Sequence, residues 1–291
     1  MPAFDYAEMT GRNIGLLSIA EQAKLREAKI FMAGVGGMGG AALMNLVRAG
    51  VGEVWIADFD RFDVSNLNRQ LFANLDTLEK EKVAATVEQI LRINPELKIR
   101  TFGAEWTEHL DEILPAVDLA VNGCDDVRAT LLLMRAAVRH RKTVIDAFAS
   151  PLPSVYVARP DDARPEEWMG YPSRGLPPAA WTDDLLKKCA LAEIQYVLTR
   201  SSSAEYVDVP ATREFLEGKR KRFSLAPMVI ATGSLMAFEA LRILLGRGGN
   251  PARRGYFLNP WRGTVEKPPL PIFLPWRFFK AYRFFRKVRS V

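Results

Sequence analysis

Cysteine and histidine are nearly absent from this chain: its 291 residues include two cysteines, Cys124 and Cys189, and two histidines, His109 and His140. Two thiols cannot furnish paired C-x-x-C motifs, which excludes a structural zinc clamp of that kind, and the histidines stand far apart without ligand-like spacing. A disulfide is a poor expectation in a reducing compartment. Long apolar runs are missing as well. Uninterrupted stretches fall well short of the ~20 residues that span a bilayer. The start Met1-Pro2-Ala3-Phe4-Asp5-Tyr6 lacks the basic-then-apolar pattern of a signal segment, so a cytoplasmic protein is expected. Internal repeats and low-complexity tracts are also lacking. Acidic residues are absent near the C-terminus, where Arg277, Lys280, Arg283, Arg286, Lys287 and Arg289 interleave with Phe278, Phe279, Tyr282, Phe284 and Phe285. Much of the formal charge of +6 therefore sits in that tail. The body is close to neutral, and no nucleic-acid partner is expected.

The 48% hydrophobic content is ample for a packed core. β-rich apolar runs recur at Lys29 to Gly34, Glu53 to Asp58, Lys98 to Phe102, Asp118 to Asn122 and Thr143 to Ala147, separated by stretches of helical period. That alternation predicts an α/β fold of Rossmann-like, doubly wound type: a mostly parallel sheet with helices on both faces and ligands at the carboxyl ends of its strands. Ser18 with Glu21 three residues on predicts a capping box opening a helix to Ala28, with Leu25 inward. A further strand is expected at Ser154 to Ala158. An insert rich in proline and charge then runs from about 160 to 222, with a helix from Thr182 to about Thr199. A long apolar helix from Ala226 to Gly246 comes next, and mixed strands at Gly255 to Asn259 and Gly263 to Lys267. Residues 1–270 are expected to form one domain carrying that insert, followed by the basic aromatic tail, 271–291.

The densest signal lies between residues 30 and 82. Gly34-Val35-Gly36-Gly37-Met38-Gly39 comes after the apolar run Ile30-Phe31-Met32-Ala33 and precedes a helix-like segment. Glycines there let the chain turn sharply and bring a polyphosphate against the N–H groups of a helix N-terminus. By itself the pattern is weak, since many cofactor enzymes share it. The residues beyond the loop are more specific: Asp58-Phe59-Asp60 ends the second strand with two carboxylates, then come Asn66, Arg69, Gln70 and Lys82. Hydride transfer has no need of so much cationic and amide chemistry beside the phosphates, whereas stabilising charge on departing pyrophosphate does.

With Arg12-Asn13-Ile14, Ile93-Asn94-Pro95, Cys124-Asp125-Asp126 and Gly233 to Ala240 in the same order, the chain resembles the ThiF/MoeB/HesA family, relatives of ubiquitin-activating enzymes, from about Arg12 to about Gly246. The resemblance implies an adenylyltransferase: ATP activates a C-terminal carboxylate of a ubiquitin-like protein or peptide as an acyl-adenylate. It implies ATP bound by Gly34, Gly36, Gly37, Gly39, Asp58, Asp60, Asn66, Arg69, Lys82 and Asp125, with Mg²⁺ at Asp125. Catalytic roles are expected of Arg69, Lys82 and Asp125, and of Arg12 donated across a homodimer. Asp58 would receive the ribose hydroxyls.

Several positions stay open at the level of sequence. Asp125 also suits a helix N-cap, and Arg12 a plain surface charge. Asp126 stands where the family commonly has asparagine, which adds negative charge beside the metal. Cys189 lies in the insert, where some relatives place a nucleophile, and two nearby lysines would lower its pKa. Its spacing from Leu185, Leu186 and Ile194 equally fits a buried apolar cysteine. Cys124 reads as structural. The tail fits packing on the protein, a partner contact or an interfacial membrane helix with Trp276 facing lipid. Rival functions are activation of a small-molecule or RNA-linked carboxylate, a non-catalytic nucleotide-binding scaffold and an NAD-dependent oxidoreductase.

Overall fold

Side-chain alternation along the first strand divides the molecule in two: Ile30 and Met32 enter one apolar core, Phe31 and Ala33 the other. Successive Cβ atoms of a strand point to opposite faces, so a strand buried on both sides reads as an unbroken apolar run. The computed structural model describes residues 3–268 and, in the tail, 278, 279, 281–284, 286 and 288. It has an eight-stranded sheet in the order β3-β2-β1-β4-β5-β6-β7-β8. The strands are β1 (Lys29–Ala33), β2 (Glu53–Ala57), β3 (Lys98–Phe102), β4 (Leu119–Asn122), β5 (Thr143–Asp146), β6 (Ser154–Ala158), β7 (Tyr256–Asn259) and β8 (Thr264–Glu266). The first five are parallel and the last three join antiparallel. β1 lies between β2 and β4, so the winding reverses there and a crevice opens at the carboxyl ends of these strands.

Helices α1 (Tyr6–Thr10) and α2 (Ile19–Glu27) precede the sheet. The capping box forms as the spacing requires, Glu21 N–H donating to Ser18 Oγ and Ser18 N–H to the Glu21 carboxylate, and Leu25 is fully buried. Of the next helices, α3 (Gly37–Arg48) and α4 (Lys82–Leu91) cover one face, while α5 (Leu110–Ala116) and α6 (Val127–Arg139) cover the other. The insert contributes α7 (Pro165–Trp168), α8 (Asp183–Arg200) and α9 (Val209–Leu216), α8 joining the second core. Phe148, just past β5, stacks on Tyr196 of α8 at 5.5 Å and on Phe257 of β7 at 5.0 Å. Such ring pairs add ~1 kcal/mol each beyond the area they bury.

The last long helix, α10 (Ala226–Leu244), forms where the apolar segment from Ala226 to Gly246 was expected. By length and composition it could cross a bilayer, with mean hydropathy 1.4. It lies instead along α3, where Gly233 lets the backbones approach: a Cβ there would sit 2.5 Å from the Met38 carbonyl oxygen and the Ala41 Cβ. Glu239, buried on this helix, is held by Arg242.

The described tail residues are helical, and Ala281, Phe284 and Val288 are buried against Leu198, Val207 and Val209 of the insert. This is the packed reading of the tail. Phe278, Phe279 and Tyr282 remain exposed, and Trp276 lies outside the described residues. Truncating Phe284 to alanine should cost the tail contact about 3 kcal/mol. Trypsin should then cleave at Arg283 and Arg286 on the order of a hundred times faster, while the body remains intact by gel electrophoresis.

Candidate functional site

Three glycines meet backbone to backbone where the crevice begins. Gly34 follows β1 at φ +84° and Gly123 follows β4, while Gly39 lies in the first turn of α3. A Cβ on Gly34 would come within 2.8 Å of Cys124 N and one on Gly123 within 2.5 Å of Gly39 Cα, while one on Gly39 would overlap the Gly34 carbonyl oxygen. The N–H of Gly34 donates to Ala57 O and that of Gly123 to Ala33 O, tying the loop to the ends of β2 and β1. These contacts aim the start of α3 along the crevice. Its N-cap, Gly36, has no side chain to satisfy the first helical N–H groups. Uncapped donors of this kind, with the helix dipole behind them, form a cradle for an anion. Around Gly36 there is room: the nearest atom to a Cβ built there is Gln70 Nε2 at 3.7 Å, and Gln70 Oε1 is buried without a hydrogen-bond partner. Space and free donors together fit a polyphosphate; the Gln70 oxygen, an acceptor only, adds nothing to that fit.

The expected side chains surround this cradle. Asp58 accepts from Val35 N–H at 2.9 Å and Asp60 N–H at 3.0 Å, leaving lone pairs on both oxygens for a ribose. Lys82, at the start of α4, is buried and donates to Asp60 Oδ2 at 2.8 Å. Asp60 thus holds the lysine's charge in place and is half exposed itself. The stem of Arg69 lies over Gly37, 3.7 Å from a Cβ built there, while its exposed guanidinium donates to Ser65 O and Asn68 Oδ1. Asn66 is buried, and its Oδ1 caps the Asp63 turn through Asp63 N–H, a bond that fixes the loop bearing Arg69.

Across the crevice, the capping role foreseen for Asp125 belongs to its neighbour. Asp126 accepts from Ala129 N–H and opens α6. Asp125 is exposed and, among the described residues, has no hydrogen-bond or ion-pair partner. A single carboxylate suits Mg²⁺, which takes one or two protein oxygens and completes its shell with phosphate and water.

Sequence reading did not single out the polar residues beneath this wall. Asn122 ends β4 and Asp146 ends β5; Asp146 Oδ2 accepts from Tyr156 OH at 2.6 Å and Asn122 Nδ2 at 3.0 Å. Burial pushes the Asp146 carboxyl up to about 7 despite these donors. Glu193 of α8, also pushed up by burial, accepts from Ala149 N–H and Tyr171 OH and so joins the insert to the end of β5. A carboxylate closing an apolar strand was the available signal, the same one that marked Asp58.

Arg12 stands apart. Its neighbour Asn13 donates to Ala49 O beyond the C-terminal end of α3. That is ~18 Å of helix away from the cradle. Arg12 is exposed and cannot reach the phosphate loop of its own chain. Cys189 is wholly buried in the core beside α6, so its thiol packs as an apolar group and gives no support to the nucleophile reading. Cys124 is likewise inert, burial pushing its thiol to about 12. His109 Nδ1 lies 3.4 Å from Glu112 and His140 Nε2 2.6 Å from Asp111, both contacts near the surface and away from the crevice residues.

The family model described as "ThiF family" matches residues 10–272. The chain belongs to the ThiF family. Among curated relatives, the sulfur carrier protein adenylyltransferase of Thermus thermophilus is 29% identical over 229 residues, 78% of this chain and 73% of that one. The adenylyltransferase and sulfurtransferase MOCS3 of Anopheles gambiae is 31% identical over 137 residues, 47% of this chain, and the match spans only 31% of that longer protein. Among solved structures, E. coli MccB with ATP superposes with a TM-score of 0.62 at 16% identity, covering 87% of this chain and 67% of that one. The ThiF fold thus accounts for the glycine junction and for the crevice between β1 and β4.

This geometry makes two outcomes expected. Gly36→Ala should leave the melting temperature within about 2 °C of the parent and weaken binding of an ATP analogue at least about tenfold, whereas Gly39→Ala, costing about 3 kcal/mol, should lower it by about 6–12 °C. Calorimetry and fluorescence titration separate the two. The second concerns pH. An aspartate ordinarily titrates near ~4, so a folded value raised to about 7 means the native state binds this proton more tightly than the unfolded chain. The stabilisation is complete below ~4 and is lost as pH rises through about 7. Asp146→Asn should remove that slope, read as the difference between parent and variant melting temperatures across this range.

Proposed function

We propose that this ThiF-family protein is an ATP-dependent adenylyltransferase that activates the C-terminal carboxylate of a ubiquitin-like or sulfur-carrier protein, or of a peptide. The observation that supports the reading is placement: the uncapped start of α3, Lys82 held by Asp60, Arg69 and the unpartnered Asp125 all lie on segments beyond the carboxyl ends of β1, β2 and β4. A scaffold has no physical need for buried cationic chemistry at an anion cradle. The printed names of the relatives, sulfur carrier protein adenylyltransferase among them, support the same activity.

In this reading a carboxylate oxygen attacks the α-phosphorus of ATP, the bond to the bridging oxygen breaks, and pyrophosphate leaves with the electron pair. Negative charge grows on the bridging oxygen and the leaving group. The N–H groups of α3 and the Lys82 ammonium would be fixed opposite that charge, so they stabilise the transition state without reorganising. Arg69 would leave its carbonyl partner for a phosphate edge, where its planar fork binds two oxygens. Asp58 would orient the ribose. Asp125 would hold Mg²⁺, which neutralises phosphate oxygens when bound. Arg12, too distant to serve its own site, would complete that of a second copy in a homodimer. The acceptor of the activated acyl group would be something other than the buried Cys189. A cytoplasmic setting suits these substrates.

Exchange of labelled pyrophosphate into ATP, run with candidate carboxylate partners, tests the reading. Arg69→Ala and Lys82→Ala should each lower exchange by about 10²–10³ while the far-ultraviolet circular dichroism is retained. Tight nucleotide binding with no exchange for any partner would overturn it.

A further inference from the structure

The segment returning from the insert carries four consecutive cations, Lys219-Arg220-Lys221-Arg222, between α9 and α10. All four are exposed. They are not equivalent. Lys219 pairs with Glu217 at 2.7 Å and Arg220 with Glu214 at 3.4 Å, whereas Lys221 and Arg222 have no ion-pair partner among the described residues.

The segment is fastened to the site at its far end. Asn68 Nδ2 donates to Ser224 O at 3.1 Å, anchoring it to the turn that carries Arg69, and Val229 of α10 lies against Gly37, with Cγ1 2.6 Å from a Cβ built there. The Asp63 carboxyl is held down by the Ser65 hydroxyl first and then by the charges of Lys221 and Lys82, while burial raises Glu193 and the charge of Arg222 opposes that rise. Asp63 follows β2 and Glu193 sits against the end of β5. The two unpaired cations stand two and three residues from the Ser224 anchor, beside the turn that carries Arg69, with Phe223 and Leu225 exposed next to them.

Because the segment is tied to the turn that bears Arg69, and α10 behind it packs on Gly37, it stands beside the place where a substrate's terminal carboxylate would react. We propose that Lys221 and Arg222 select among such chains, favouring a substrate with acidic side chains just upstream of its reacting C-terminus. The proposal rests on the adenylation reading and specifies its substrate class. Opposite charges held close at a partly screened surface discriminate between partners more than they add affinity, because a neutral or basic segment leaves the cations unpaired or repelled. The nucleotide is not the occupant this arrangement favours. In the adenylation reading its phosphates have their own donors in α3, Arg69 and Lys82, whereas Lys221 and Arg222 are exposed and outside that set.

The full chain should be titrated with short fluorescein-labelled synthetic peptides ending in Gly-Gly, differing only in carrying glutamate, glutamine or lysine at upstream positions. The expected result is binding of the glutamate peptide at least about tenfold tighter than the glutamine peptide, a margin that shrinks as salt rises. Lys221→Gln with Arg222→Gln should abolish the margin, and Lys221→Arg should retain it. Affinity for a non-hydrolysable ATP analogue should be unchanged in all variants. Equal binding of the three peptides would overturn the proposal. So would a parallel loss of analogue binding in the double variant, which would assign the cations to the nucleotide. Binding of a single-stranded oligothymidylate of equal charge as tightly as the glutamate peptide would also overturn it, by revealing a general anion surface. A persisting glutamate preference in a parent chain that binds no ATP analogue would uphold the acidic selectivity and strike the adenylation reading instead.

Discussion

The site depends on one steric constraint, the contact of three backbones at Gly34, Gly39 and Gly123. Close packing there removes every side chain from the junction of β1, α3 and β4, so the helix start is aimed by the sheet itself and not by a flexible loop. The gain is preorganisation: donors already pointing at a phosphate need not be ordered when it binds. The same constraint explains why Gly36 differs from its neighbours. It alone among the loop glycines of the cradle would hold a Cβ at ordinary contact distance, 3.7 Å from Gln70 Nε2, without displacing backbone or side chain.

Charge is distributed around this rigid point in two layers. Cations and donors face the crevice, with Lys82 kept from swinging away by Asp60. Acids lie beneath, where Asp146 and Glu193 are offset by hydrogen bonds from Asn122, Tyr156, Ala149 and Tyr171. Burying carboxyls under a site that handles anions keeps their negative charge partly suppressed, since burial favours the protonated form. The insert enters this lower layer through Glu193, so its position and the ionisation of the wall are linked.

Much of this was legible in the sequence because it is local. Parallel strands announce themselves as unbroken apolar runs, the Ser18–Glu21 box is set by three-residue spacing, and the glycine loop with Asp58, Arg69 and Lys82 is compressed into about fifty residues. What escaped was decided by packing between distant segments. Whether Asp125 or Asp126 caps α6 is a matter of one residue of register. Cys189 could be read as nucleophile or core because a helix position alone does not say which face is covered. The tail's apolar stripe fits lipid, partner or protein equally well until Leu198 and Val207 are seen against it. Asn122 and Asp146 needed the order of β4 and β5 in the sheet, which no local pattern supplies.

The stacking of Phe148 between Tyr196 and Phe257 bears on how the chain is made. A ribosome delivers Phe148 and Tyr196 long before Phe257, and until that ring emerges one side of the nascent sheet must stay open to water. Domains assemble during synthesis in the order their parts appear. Here the nucleotide half can form early, but its second core closes only once β7 has emerged, so a transcript broken before the β7–β8 hairpin would yield a sticky, unfinished product.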